Sequence, residues 1–301
     1  MIPAAPEAKH DISATNDPGH SIKADCVTDL TPDDLTMDRL TPDDLEALRR
    51  AVQALEHPSL AARLTNMVGK PVELIGYALP AAASNAISAA TSKALWAGLK
   101  VALMTMRRNP RAGSQLLHRA LATASGAAGG AFGLVTLPIE LPVSTIIMLR
   151  SIADIAQSEG EDLSDPEAAL SCVQVFALGG RTGSDDAAES GYFAVRGILA
   201  KSVTEAARFV AQRGVVTEGA PIMVRFLTEV ASRFGVVVSQ KVAAQAFPVI
   251  GALGGAAVNY AFLEHFQDVA RGHFTVRRLE RIYGKQCIRE EYTRLAEQRL
   301  A

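Results

Sequence analysis

The chain is expected to be all-α: a single multi-helix, bundle-like domain with two glycine-rich apolar helical hairpins behind a disordered N-terminal leader. Three observations predict this. Apolar residues make up 49% of the chain but aromatics only 5%, so alanine, glycine, leucine and valine carry the hydrophobicity. Small residues let helices approach closely. Apolar positions recur with a helical period between capping residues. Strand-like alternation is scarce, and the chain has no GxGxxG after a strand, no P-loop and no GxSxG, so the enzyme classes built on those motifs lose their support.

The elements follow in order. Residues 1–30 are polar, proline-dotted and aperiodic, which predicts disorder. TPDDL then occurs twice, at 31–35 and 41–45. In the second copy Thr41 suits an N-cap, Pro42 the first helical position, and Asp43 and Asp44 the positive end of the helix dipole. The amphipathic LEALRRAVQALEH continues it. Helices are expected across 59–108, with Pro80 breaking or starting one of them, and Arg107, Arg108 and Arg111 form a basic edge. Ser164 and Glu167 fit a capping box around Pro166, and the helix they start should end at Gly179 and Gly180. GGRTGSDDAAESG reads as an exposed loop, followed by helices at about 187–213 and 221–246. Residues 286–301 form a charged helical tail after a helical domain at 31–285.

Two stretches stand out. Ala120–Leu149 contains a single charge, Glu140, between Pro138 and Pro142. Val242–Leu263 contains none. GAAGG at 126–130 echoes GALGG at 251–255, which suggests a repeat. The prolines should split the first stretch into two helical pieces joined near LPIELP. Both stretches reach the roughly 20 residues a membrane-spanning helix needs. A carboxylate at the centre of such a helix costs about 2.5–3.5 kcal/mol, and the mean hydropathy is only +0.15. The reading is therefore two buried hairpins packed on each other, with peripheral lipid contact as the next alternative.

A net charge of -2 argues against nucleic-acid binding. Cys26, Cys172 and Cys287 have no CxxC spacing and read as reduced, inert thiols. The N-terminus lacks the basic and apolar regions of a secretory signal, so a cytoplasmic location is expected.

PVIGALGGAAVNYAFLEHFQDVARGHFTVRRLERIYG, at 248–284, and GGAFGLVTLPIELPVSTIIMLRSIADIAQSEGEDLSDPE, at 129–167, resemble the C-terminal and central signatures of the bacterial EcsC family. The similarity spans roughly residues 45–285. The family is named for a gene beside the ATPase and membrane subunits of an ABC transporter. The resemblance implies a cytoplasmic or membrane-associated helical protein tied to transport or envelope protein handling. It carries over no catalytic residue.

Two groups of side chains are candidate sites. Glu140, Glu264, His265 and Asp268 could meet in a shared pocket if the hairpins pack together, and would suit a divalent metal. Their competing reading is an acid that caps or salt-bridges a broken helix and a satisfied core histidine. Arg271, Arg277, Arg278 and Arg281, with His273, form a basic strip that could dock on phosphate or lipid headgroups, or be consumed by ion pairs with Glu280, Glu290 and the acidic EGED turn. The favoured function is a non-enzymatic accessory protein that binds membrane lipid or a membrane transporter subunit at the inner face of the membrane. A metal-assisted hydrolase centred on Glu140, Glu264 and His265 is the alternative.

Overall fold

A computed structural model describes residues 40–56, 60–68, 81–105, 137–180, 191–213, 219–245 and 251–300. The described residues form nine α-helices and no strand: α1 (Pro42–Glu56), α2 (Leu60–Val68), α3 (Ala81–Thr105), α4 (Leu137–Ser158), α5 (Pro166–Leu178), α6 (Gly191–Arg213), α7 (Pro221–Gln245), α8 (Gly251–Tyr283) and α9 (Lys285–Leu300). The leader, the first TPDDL copy, the basic edge at Arg107–Arg111, the GAAGG segment and most of the 179–191 loop lie outside the described residues.

Local chemistry sets the helix ends. The backbone N–H of Asp44 donates to Thr41 Oγ1 at 3.2 Å, and that hydroxyl donates to the Asp44 carboxylate at 3.1 Å, so the predicted Thr41 cap forms. The predicted Ser164 cap moves one residue. Asp165 is the N-cap of α5, its carboxylate accepting from Glu167 N at 3.2 Å, while Ser164 donates to Asp162 at 2.7 Å. An aspartate directly before Pro166 competes successfully with the serine. At the far end of α8, Gly284 adopts φ +87° and stops the helix, and α9 starts one residue later.

The expected interruption at Pro142 does not occur, because α4 starts at Leu137 and runs through it, while the upstream piece of the expected pair lies outside the described residues. In the second turn, that proline forfeits only a bond to the carbonyl of residue 138, and Pro138 is exposed to water. Ser144 Oγ donates back to the carbonyls of Glu140 and Leu141 at 2.9 and 3.2 Å, which stitches the same turn.

The 33-residue α8 is the axis of the bundle, with α1, α2, α4, α5, α7 and α9 packed on it. Phe176, Phe234, Phe262 and Phe266 form its aromatic core, with ring centroids 4.7 Å apart for Phe176–Phe234 and 5.2 Å for Phe262–Phe266. Truncating one of these rings costs about 3–5 kcal/mol. Two close approaches require glycine. A Cβ on Gly180 would lie 2.2 Å from the Arg233 carbonyl oxygen, and one on Gly272 would lie 2.8 Å from Leu55 Cγ, where α1 crosses α8. The charged tail is part of the body: Ile288 and Tyr292 of α9 are fully buried, and the Tyr292 hydroxyl donates to Glu56 at 2.7 Å.

α4 and α8 lie side by side and run parallel, as three levels of polar contact show. Asn259 Nδ2 donates to Glu140 at 3.2 Å, Gln267 Nε2 to Ser151 at 2.6 Å, and Thr275 Oγ1 to Glu159 at 3.2 Å. Residue numbers rise together along both helices, so each end of the pair has its own chemistry.

Candidate functional site

The first level holds Glu140. Its side chain is 5% exposed, and its Oε1 accepts from Lys241 Nζ at 2.7 Å, with Lys241 fully buried. The ammonium also stands 5.0 Å from the centroid of Phe262. Burial pulls the Lys241 pKa below its ordinary value, and the Glu140 carboxylate opposes that pull. This is a structural ion pair joining α4, α7 and α8.

His265 does not meet Glu140. It follows Asn259 by six residues, about 9 Å of helix rise, and points to another face. Its Nε2–H donates to the Gly179 carbonyl at 2.9 Å, which fixes the tautomer because a carbonyl can only accept. Burial drives the pKa of His265 down to about 4, against the opposing pull of the Gly179 carbonyl. The histidine serves as a clasp on the C-terminus of α5. Glu264 and Asp268 are brought together, but by a cation: Arg63 of α2 donates to both at 3.1 Å. The shared metal pocket is therefore corrected. Among the described residues no group of three or more His, Cys, Asp or Glu side chains could hold a metal ion.

The basic strip is largely consumed. Arg277 grips Glu161 with two bonds of 2.8 and 3.0 Å, and Arg281 joins the same carboxylate. Arg278 bridges Glu159 at 2.9 Å and Asp44 at 3.0 Å, and Tyr283 donates to Asp44 at 2.8 Å. Burial opposes ionisation of Glu161, but Arg277 and Arg281 outweigh it and hold its carboxyl below the usual range. The expected ion pairs with the EGED turn thus form. His273 is fully buried and out of reach of any headgroup. Its Nδ1 lies 2.9 Å from the Tyr192 hydroxyl, which accepts from Arg196, and Arg196 is clamped on Glu280 at 2.6 and 2.7 Å. Burial holds His273 neutral and pushes the Tyr192 phenol up to about 12.

Cys172 is buried, and desolvation raises its thiol far above the reactive range, in keeping with an inert residue.

Two cavities flank Arg63. One, of about 710 Å³, lies between α1 and α8 and includes Arg50, Arg63, Asp268, Arg271 and Arg278 in its wall. The other, of about 600 Å³, lies between α2 and α8 against Ala256, Ala257, Tyr260 and Ala261. Their pairing was not legible in the sequence, because Arg50 and Arg63 lie some 200 residues before the α8 residues they face. Lys241 was missed as well. Its signal was its place directly before the charge-free run from Val242, the basic counterpart of the lone acid in the other charge-poor stretch.

Comparison with known proteins bears on this arrangement through one match. A model of the EcsC protein family matches residues 42–279. No curated protein and no solved structure matches the chain. The chain belongs to the EcsC family, and the matched span runs from the start of α1 to the last turns of α8.

Proposed function

We propose that this EcsC-family chain is a non-catalytic accessory protein that works against a membrane, touching lipid or a membrane-protein helix with the start of α4. One observation carries the reading. Ile139 is 74% exposed and Val143 is 43% exposed. They are i,i+4 neighbours on one face, with exposed Pro138 beside them. The sequence leading into this edge, Ala120–Thr136, has no charge. A single exposed aliphatic residue means little, but adjacent exposed apolar side chains on one helix face suit a contact surface.

Among the described residues no helix is long and apolar enough to cross a membrane, so the proposed contact is peripheral, at the inner face. The buried Glu140–Lys241 pair supports it by anchoring the helix directly beneath the edge. A link to ABC transport or envelope protein handling would follow from where such a protein sits. The basic strip is not the contact in this reading, because its guanidiniums are engaged internally. A hydrolase is not favoured, since Glu140 and His265 each serve a different structural partner.

The test is co-sedimentation of the full chain with vesicles of mixed anionic and zwitterionic phospholipid. Wild type should pellet with them. The Ile139→Glu/Val143→Glu variant, which alters only exposed positions, should lose at least about tenfold in partitioning, or about 1.4 kcal/mol. Equal partitioning of the two, or no binding at low salt, would defeat the reading.

A further inference from the structure

The last helix, α9, joins the body through one residue and covers a surface that lies within the family-matched span. The junction is Gly284, at φ +87°. A Cβ there would meet nothing within 4 Å, so the glycine serves the backbone turn alone. Among the described residues of α9 the buried side chains are Ile288, Tyr292 and Leu295, one narrow stripe at i, i+4 and i+7 on an otherwise mostly polar helix. Beneath the stripe is an aromatic ledge on α6. The Tyr292 ring stacks on Tyr192 with centroids 5.5 Å apart and meets Phe193 edge-on at 5.0 Å. The Arg289 guanidinium stands 5.6 Å from the Phe193 centroid, and the Tyr292 hydroxyl donates to Glu56 of α1 at 2.7 Å. Glu56, Tyr192 and Phe193 lie inside the matched residues 42–279, and α9 lies outside them.

We infer that α9 is a releasable cover, and that the ledge of Tyr192, Phe193 and Glu56 is a docking groove for an amphipathic helix, filled in trans by α9 of a second copy of this chain. The free energy of a local opening follows the contacts it breaks, and α9 is held by one stripe and one turn. The helix that fits the ledge is defined by α9 itself: an aliphatic residue, a tyrosine and a leucine on one face, with an arginine beside the tyrosine face of Phe193's ring system. A second copy carries the same set. Exchange of an identical element costs little, because the contacts of the closed and exchanged forms are the same. The turn decides between them. Glycine adopts positive φ without strain, so Gly284 favours the closed form, and a side chain there would favour the exchanged one. The ledge is separate from the α4 edge, and the inference does not rest on the membrane reading.

The probe is a fluorescently labelled peptide of residues 285–300, titrated with the full chain and read by anisotropy. Wild type should bind it weakly, because its own α9 holds the ledge. The Tyr292→Ala chain, with its cover loosened, should bind it at least about tenfold more tightly. Adding Phe193→Ala to that chain, or Tyr292→Ala to the peptide, should remove the gain. Gly284→Ala strains only the turn and should also tighten peptide binding, so it replaces Tyr292→Ala if that variant loses helical circular dichroism. In native mass spectrometry of the full chain, Gly284→Ala should raise the ratio of dimer to monomer at least about tenfold over wild type at equal concentration. No peptide binding by either variant, or binding indifferent to Phe193→Ala, overturns the groove. A Gly284→Ala chain that binds the peptide yet stays monomeric at every concentration overturns the second copy as its occupant.

Discussion

The two ends of the parallel α4–α8 pair use charge in opposite ways. At the start, one carboxylate and one ammonium are sealed in an apolar setting, and the surface above them is aliphatic. At the finish, Glu159, Glu161 and Asp44 are shared among Arg277, Arg278 and Arg281 in a partly exposed mesh. The first arrangement concentrates its cost and gain in one pair, and the second spreads them over several. The comparison teaches that a cluster of like charges in the sequence need not be a docking surface. Here the conspicuous arginines are spent inside the fold, and the proposed contact surface lies at the inconspicuous apolar end.

The largest break in this contrast comes from Lys241. Lys241→Ala should destabilise the fold by about 3–5 kcal/mol in urea unfolding, because it leaves Glu140 buried and unpaired. Glu140→Leu combined with Lys241→Met should recover most of that loss, since a buried pair replaced by apolar side chains of similar size is often neutral. A small effect of Lys241→Ala would mean that water reaches the site.

Acid sharpens the contrast next. His265 is held neutral at a pKa of about 4 when folded, whereas the unfolded chain protonates it near its ordinary value of 6.5. The unfolded state then binds more protons between these values. Stability is full above about pH 6.5 and falls as pH drops toward 4, by about 3 kcal/mol from this residue. His273 is lowered too and adds in the same direction. His265→Asn should flatten the slope of unfolding free energy against pH in that window, and an unchanged slope would show that the clasp on Gly179 does not bury the ring.

Glu161→Gln should have the smallest of the three effects, about 2 kcal/mol in urea unfolding. It weakens two charge-assisted contacts, but Arg281 is partly exposed and can turn to water. A loss as large as that of Lys241→Ala would erase the distinction between the two ends.

Much of the helical layout could be read from the sequence, because caps and periods are local. Thr41, the Gly179–Gly180 stop and the amphipathic α1 follow from neighbouring residues alone. The cap of α5 was misplaced by one residue because Ser164 and Asp165 offer similar oxygens, and only backbone geometry decides between them. Pro142 misled because a proline's cost depends on where in a helix it falls. The site was harder. Residue spacing placed Glu264 with Asp268 but could not reveal that Arg63 joins them, and the place of Lys241 before a charge-free run marks it out without saying that it finds Glu140 across 101 residues. Such pairings are set by how α2 and α7 pack on α8.

Hydrogen exchange of the full chain, with and without anionic vesicles, compares the two ends in one measurement. The account predicts slower exchange in peptides covering 137–146 and no change in peptides covering 275–283. Protection confined to the arginine-rich end of α8, or at neither end under conditions where the protein is vesicle-bound, would contradict it.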